Sequence, residues 1–425
     1  MRIYGLIFIA FVAFLASCSN SELEDFNVPS QSENLSDTDS SDLQNPFNDL
    51  EYPYAGIPRL VVETYKKQAV NSLTEKIPAK MQLFDSEGPI SSKMELTIRC
   101  RGNSSFYDVP KKSYKIKLNQ KQAFFDMPKN KDWALIANYP DKTLLKNILM
   151  MKLGKKLMKS YTPQAEPVEV VINGEYLGVY ILSETIEVAK QRVNISDNAY
   201  LVEIDYKPKE DDQTLLSEAG YNFTIHNPDP ITDLQKNVLK AHIDSVDVYM
   251  ESQQYFNEGN TLDDWFDMDA YLGFYWAQEF SENPDGNFFT SVFFTWRPGD
   301  VIRMGPLWDF DLSFGGHAHT DLQNPEGWYI RNYYWNRHVF KKAPFLERVK
   351  EFWVSHREDF ISVVDSLDVY ANDLAPAAEN NFKRWDVLAD TTNNWHIKSY
   401  PSYNSAVRDL KKWIRNRITW IEKNL

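Results

Sequence analysis

The sequence predicts an α+β fold with an antiparallel, β-rich N-terminal part and a mainly helical C-terminal part. Three observations carry this expectation. Residues 59 to 64, 80 to 85, 93 to 101 and 112 to 118 alternate apolar and polar side chains, the period of half-buried strands. Val168 to Leu182 reads as a hairpin, two apolar strands around the turn dipeptide Asn173-Gly174. After residue 231 apolar residues recur at helical spacing, interrupted by one acidic hairpin.

In chain order, Met1-Arg2 and the apolar run Ile3 to Leu15 have the length of a signal-peptide core rather than of a bilayer span. The run ends at Leu15-Ala16-Ser17-Cys18, a lipobox pattern, so residues 1–17 are expected to be removed and the Cys18 sulfur to carry lipid. Residues 18–51, rich in Ser, Asn, Asp and Glu, read as a disordered tether that cannot bury enough surface to fold. A β-rich part is expected over 52–183 and a part with acidic loops and helices over 184–425. Asp141 reads as an N-cap for a helix over Lys142 to Met158, with Leu145, Ile148, Leu149 and Leu153 on one face. Tyr200 to Asp205 reads as a strand, and Tyr403 to Leu425 as a basic amphipathic helix whose Trp413 and Trp420 form a packing seam.

Composition narrows the function classes. A net charge of -14 argues against a general nucleic-acid binder, because phosphate backbones need a basic surface. With Cys18 lipidated only Cys100 remains, so an internal disulfide and a thiolate metal site are both excluded. Cys100 sits in a strand pattern and reads as a small core residue.

The run Gly305-Pro306-Leu307-Trp308-Asp309-Phe310-Asp311-Leu312-Ser313-Phe314-Gly315 sets two carboxylates two residues apart inside an aromatic stretch. Buried carboxylates need a cation or donors, so this run reads as an ion site at the edge of a core. A strand with solvent-facing aspartates is the competing reading. Upstream, Glu282-Asn283-Pro284-Asp285-Gly286-Asn287 forms an acidic loop ahead of the strand-like Phe288 to Phe294 and a turn at Arg297-Pro298-Gly299-Asp300. Pro284 to Asn287 is also a good plain turn. In the N-terminal part, Tyr114, Ile116 and Leu118 share one strand face, which puts Lys115 and Lys117 on the other, and Arg99 and Arg101 share a face in the same way. Paired, these strands present four cations to a phosphate or, alternatively, to solvent.

The order and types of these pieces resemble the CotH kinase family, the spore-coat protein H kinases. The W-D-x-D-x-x-F-G run is complete from Trp308 to Gly315. Arg101 to Ser105, Lys111 to Leu118, Trp133 to Tyr139, and Val171 to Tyr180 leading into Ser183-Glu184 extend the likeness over roughly residues 55 to 320. The resemblance implies an atypical, protein-kinase-like bilobed fold and transfer of the ATP γ-phosphoryl group with Mg²⁺ or Mn²⁺. It implies Asp285 as catalytic base, Asp309 and Asp311 as metal ligands, and Asn287 as a further metal ligand. Lys115 or Lys117, with Arg101, would meet phosphate, and Glu184 would lie beside the nucleotide. Lys146 stands where the family usually carries arginine, which keeps the charge and loses the bidentate fork. The expected protein is therefore a lipid-anchored kinase of a bacterial envelope, at the outer membrane, acting on a protein or glycan acceptor. The competing class is a non-catalytic surface protein on a kinase-like scaffold, whose 12 tryptophans and 23 tyrosines stack on sugars or serve assembly.

Overall fold

The structure, a computed structural model, describes residue 43, residues 50–252 and residues 262–425. The predicted signal peptide, Cys18 and most of the predicted tether lie outside the described residues. Among the described residues no helix is long and apolar enough to cross a membrane. Leu43, inside the segment read as tether, is buried against Val61, Phe84, Val171 and Tyr176.

The fold is α+β. Its first part is a closed barrel of seven strands: β1 (Arg59–Thr64), β2 (Ile77–Asp85), β4 (Met94–Arg101), β5 (Ser113–Phe124), β6 (Met127–Ile136), β7 (Ala165–Ile172) and β8 (Glu175–Glu184), with a short β3 (Gly88–Pro89) beside β2. Around the barrel the order is β1-β7-β8-β6-β5-β4-β2, and β2 returns to β1. Every pairing is antiparallel except β1 with β7, where Arg59 to Val62 run alongside Glu169 to Ile172. The sequence predicts antiparallel strands here. The exception arises because β1 is the strand that closes the ring, and its free edge meets β7 running the same way.

Alternation fills the barrel. Leu60, Val62, Ile98, Cys100, Ile116, Leu118, Trp133, Leu135, Val168, Val170 and Leu182 converge in one core. The closing seam is also pinned by charge: the buried Arg59 guanidinium donates to Glu169 at 2.7 Å, and Glu169 also accepts from the Tyr176 hydroxyl at 2.6 Å. A charge pair removed from water needs this many partners to hold its place.

Between β4 and β5 lies a single helical turn, α1 (Ser104–Tyr107). Between β6 and β7 lies α2 (Lys146–Leu157). The helix begins at Lys146, four residues later than predicted, with Leu145 at its N-cap position, because Asp141 folds the chain ahead of it into a turn: its carboxylate accepts from the backbone N–H groups of Thr143, Leu145 and Lys146 at 2.8 to 2.9 Å.

A second, antiparallel sheet follows, ordered β10-β11-β9-β12-β13. Its strands are β9 (Tyr200–Ile204), β10 (Thr214–Leu216), β11 (Asn222–Asn227), β12 (Val292–Trp296) and β13 (Arg303–Met304). The helices α3 (Asp233–Ser252), α4 (Met268–Ser281), α5 (Asn336–Val339), α6 (Ala343–Arg384) and α7 (Tyr403–Asn424) complete the chain. α4 is apolar on all sides and is buried along nearly its whole length, the mark of a central helix. The far end of α6 reaches the barrel: Asn381 Oδ1 accepts from Val179 N at 3.0 Å and from Lys111 Nζ at 2.9 Å. Gly178 permits this approach. Its φ is 91°, and a Cβ there would lie 2.5 Å from the Asn381 oxygen.

His242 on α3 lies between two rings, 4.0 Å from Trp296 and 5.8 Å from Trp265, with its Nε2 buried and unpartnered. Burial pushes its pKa down to about 4. The folded state therefore resists a proton that the unfolded chain accepts near its ordinary value of about 6.5. Stability is expected to fall as pH drops from about 6.5 toward 4, and His242→Phe should flatten that part of a plot of urea midpoint against pH.

Candidate active site

A cavity of about 770 Å³ opens between the barrel and the second sheet. One wall comes from β4 and β5, whose register sets Arg99 opposite Lys115 and Arg101 opposite Ser113. Arg99, Arg101 and Lys115 line the cavity. Their attachments differ. Arg99 donates to the Leu73 carbonyl at 2.5 Å, and Lys115 lies 3.2 Å from Asp132 Oδ1. Arg101 makes no hydrogen bond to a described side chain or carbonyl through its guanidinium, which rests 5.1 Å from the centre of the Trp308 ring. Of the three, Arg101 is the cation whose guanidinium donors are all unused among the described residues. Lys117, two residues farther along β5 and opposite Thr97, is exposed and lies outside the cavity.

The facing wall is acidic. Asp285, Asp309 and Asp311 all line the cavity, with Asn287 beside them. The Trp308 to Gly315 run is shaped by its alternate duties. Phe310 and Phe314 enter the core, Phe310 N donates to Asn147 Oδ1 at 2.7 Å, and Phe314 N donates to the Ser281 carbonyl at 2.7 Å. Asp309 takes a left-handed backbone, φ 64°, and its carbonyl accepts from Asn283 Nδ2 at 3.0 Å. Gly315, φ 74°, closes the motif where a Cβ would stand 2.7 Å from Trp413 Nε1. The Trp413 seam read from the sequence thus packs against the motif from the core, with Trp413 edge-on to Phe314.

The acidic loop is held from beneath. Arg417 of α7, fully buried, donates to Glu279 Oε1 at 2.9 Å and pairs with Glu282 at 2.8 Å. It also donates to the Gly327 carbonyl at 2.6 Å, while Glu279 accepts from Tyr329 N at 2.8 Å. Tyr329 in turn accepts from Asn287 Nδ2 at 2.6 Å, which leaves the Asn287 amide oxygen available as a ligand. Lys146 Nζ donates to the Asp311 carbonyl at 3.1 Å, so the lysine that replaces arginine still delivers its charge to the motif.

Electrostatics follow from this crowding. Burial, then the neighbouring Asp309, raise the Asp285 carboxyl to about 7. Burial raises Asp309, offset in part by Arg101. Burial, then Asp309 and Asp285, raise Asp311 well above the usual carboxylate range. Neither Asp285 nor Asp311 accepts a side-chain hydrogen bond from a described residue. Three carboxylates that disfavour one another's charge form a donor set that a hard cation would complete. Among the described residues, no three of His, Cys, Asp or Glu are gathered closely enough to cage a metal alone.

Glu184 is not brought to the cavity. It is buried in the barrel wall, accepting from Gln164 N at 3.0 Å and the Tyr161 hydroxyl at 3.2 Å, with Arg192 3.9 Å away. Glu203, Asp205 and Lys207, which belong to none of the motifs above, line the same cavity. The signal was there: two carboxylates two residues apart at the end of an apolar strand, the same spacing as Asp309 and Asp311.

Arg417→Met would leave Glu279 and Glu282 buried without a cation, and should destabilise the protein by about 3–5 kcal/mol. A lower urea midpoint at unchanged m-value checks this, and Arg417→Lys should recover only part of the loss.

Comparison with curated proteins gives no match. The CotH kinase protein family matches residues 98–421, from β4 to α7, and this span contains both walls of the cavity. On a match that covers well over half of its length, the chain belongs to the CotH kinase protein family.

Proposed function

We propose that the protein is an ATP-dependent phosphotransferase, anchored by lipid at Cys18 in the outer membrane of a bacterial envelope, that phosphorylates a protein hydroxyl or another envelope acceptor. One observation carries the reading: Arg101, with unused donors, faces Asp285, Asp309 and Asp311 across one cavity. A nucleotide triphosphate with its cation matches both walls, because the arginine meets phosphate oxygens and the carboxylates meet the metal. The barrel and the helical part take the places of the two lobes of a kinase. The lipobox at Leu15 to Cys18 supports the anchor.

Asp309, Asp311 and the Asn287 amide oxygen would hold Mg²⁺ or Mn²⁺, with phosphate and water completing the shell, as suits a cation that favours few protein ligands. When bound, the cation supplies charge neutralisation to the phosphoryl group. Asp285, which lines the cavity and accepts no side-chain hydrogen bond from a described residue, takes the proton of the attacking hydroxyl. Lys115, tied to Asp132, contributes field to the phosphate wall rather than a free ammonium.

Thermal melting of the purified full-length protein tests this. ATP with Mg²⁺ or Mn²⁺ at a hundred times its Kd should add about 2.7 kcal/mol, a rise of roughly a few degrees. The rise should vanish in Asp309→Asn, shrink in Arg101→Met, and persist in Lys117→Met and Asp285→Asn. Asp285→Asn should nonetheless lose transfer of labelled phosphate to envelope acceptors. No rise with any nucleotide would overturn the reading and turn the search to glycans.

A further inference from the structure

We propose that Lys207 is a catalytic residue whose ammonium meets the γ-phosphoryl group of the nucleotide. This rests on the phosphotransferase reading above and adds to it a cation from the acidic side of the cavity. Lys207 stands in the loop between β9 and β10 and lines the cavity together with Arg101 and Asp285. Its backbone is fixed to the segment that carries Asp285. Lys207 N donates to Asp205 Oδ1 at 2.8 Å, and the same oxygen accepts from the Thr290 hydroxyl at 2.9 Å. Tyr206 N donates to the Phe289 carbonyl at 2.9 Å, and the Tyr206 and Phe289 rings stack with centres 5.8 Å apart. Phe289 N in turn donates to the Asp285 carbonyl at 3.2 Å. On its other side the loop touches the barrel segment: the Lys207 carbonyl accepts from Asn103 Nδ2 at 3.5 Å, two residues beyond Arg101. Lys207 is therefore seated where the chain leaving Arg101 meets the chain leaving Asp285.

The ammonium itself is uncommitted. It rests 5.3 Å from the centre of the Phe289 ring, and among the described residues its Nζ makes no hydrogen bond and no ion pair. Glu203, Asp205 and Asp285 line the same cavity, yet none of them pairs with it. A lysine held over a ring face keeps its three donors for an incoming anion, and a compact point charge suits phosphate oxygens. In the transfer, the acceptor oxygen forms its bond to the γ-phosphorus while the bond from that phosphorus to the β–γ bridging oxygen breaks. ADP leaves with that oxygen, and the hydroxyl proton passes to Asp285. Lys207 keeps its own proton throughout and offsets charge on the γ-oxygens.

Calorimetric titration of the full-length protein with ATP and with ADP, each with Mg²⁺, tests the proposal without an acceptor. Only ATP carries the γ-phosphoryl group. Lys207→Met should therefore lower the ratio of ATP to ADP affinity about tenfold or more, with ADP affinity close to that of wild type. Lys117→Met removes an equal charge outside the cavity and should leave the ratio unchanged. Lys207 is exposed, so its substitution leaves the core intact, and Lys207→Gln should behave as Lys207→Met does. An unchanged ratio in Lys207→Met, an equal weakening of both nucleotides, or the same fall in Lys117→Met overturns this proposal and leaves the phosphotransferase reading intact. Absence of ATP binding in wild type overturns both.

Discussion

Arg417 is the residue on which the acidic wall depends. Its guanidinium, fully buried, ties the last helix to the end of α4, to the loop before Tyr329, and to the two glutamates that frame the acidic loop. Arginine suits this junction because five fixed donors can satisfy two carboxylates and several carbonyls at once. Without it, Glu279 would be left beneath the site with its negative charge unanswered, and the loop carrying Asp285 and Asn287 would lose its floor. Local order at the cavity is thus set more than a hundred residues away in sequence.

Above that floor the cavity divides labour by sign. Arg99, Arg101 and Lys115 arrive on barrel strands, where alternation fixes which face they take, and Asp285, Asp309 and Asp311 arrive on loops that leave the helical core. Rigid elements hold the cations while turns with left-handed residues aim the carboxylates. Asp309 and Ser291 both have positive φ without being glycine, and each is held by a side chain from another element. Strained backbone at such positions is maintained by neighbours, which explains why the acidic wall needs so many supporting asparagines and acids.

Much of this could be read from the residues in order. The alternation in β4 and the first half of β5, the Asn173-Gly174 hairpin and the helix that follows Asp141 are local patterns, and local patterns survive folding. The Trp308 to Gly315 run was legible for the same reason, because its carboxylates and rings sit within a few residues of one another. Barrel closure was not, since the parallel meeting of β1 and β7 joins segments over a hundred residues apart and leaves no mark on either strand. β6 and the polar half of β5 were also hidden: Asn119, Gln120 and Lys121 continue a strand whose sides are exposed, so no apolar period betrays it. Lys117 shows the limit of face arguments. Its parity with Lys115 was right, but parity says nothing of how far along the strand a cavity extends.

One further feature bears on motion. α6 runs unbroken for 42 residues, about 60 Å of helix, with Phe345, Val349, Trp353 and Phe360 in the helical core and Asn380, Asn381 and Arg384 bonded to the barrel side. It joins the helical core to the barrel as one continuous strut. Large hinge opening would have to bend or detach that strut. Pro376 removes one rung of its ladder a single turn before the barrel contacts, so flexure should concentrate there, and small changes in gape would be geared through a proline far from any ligand.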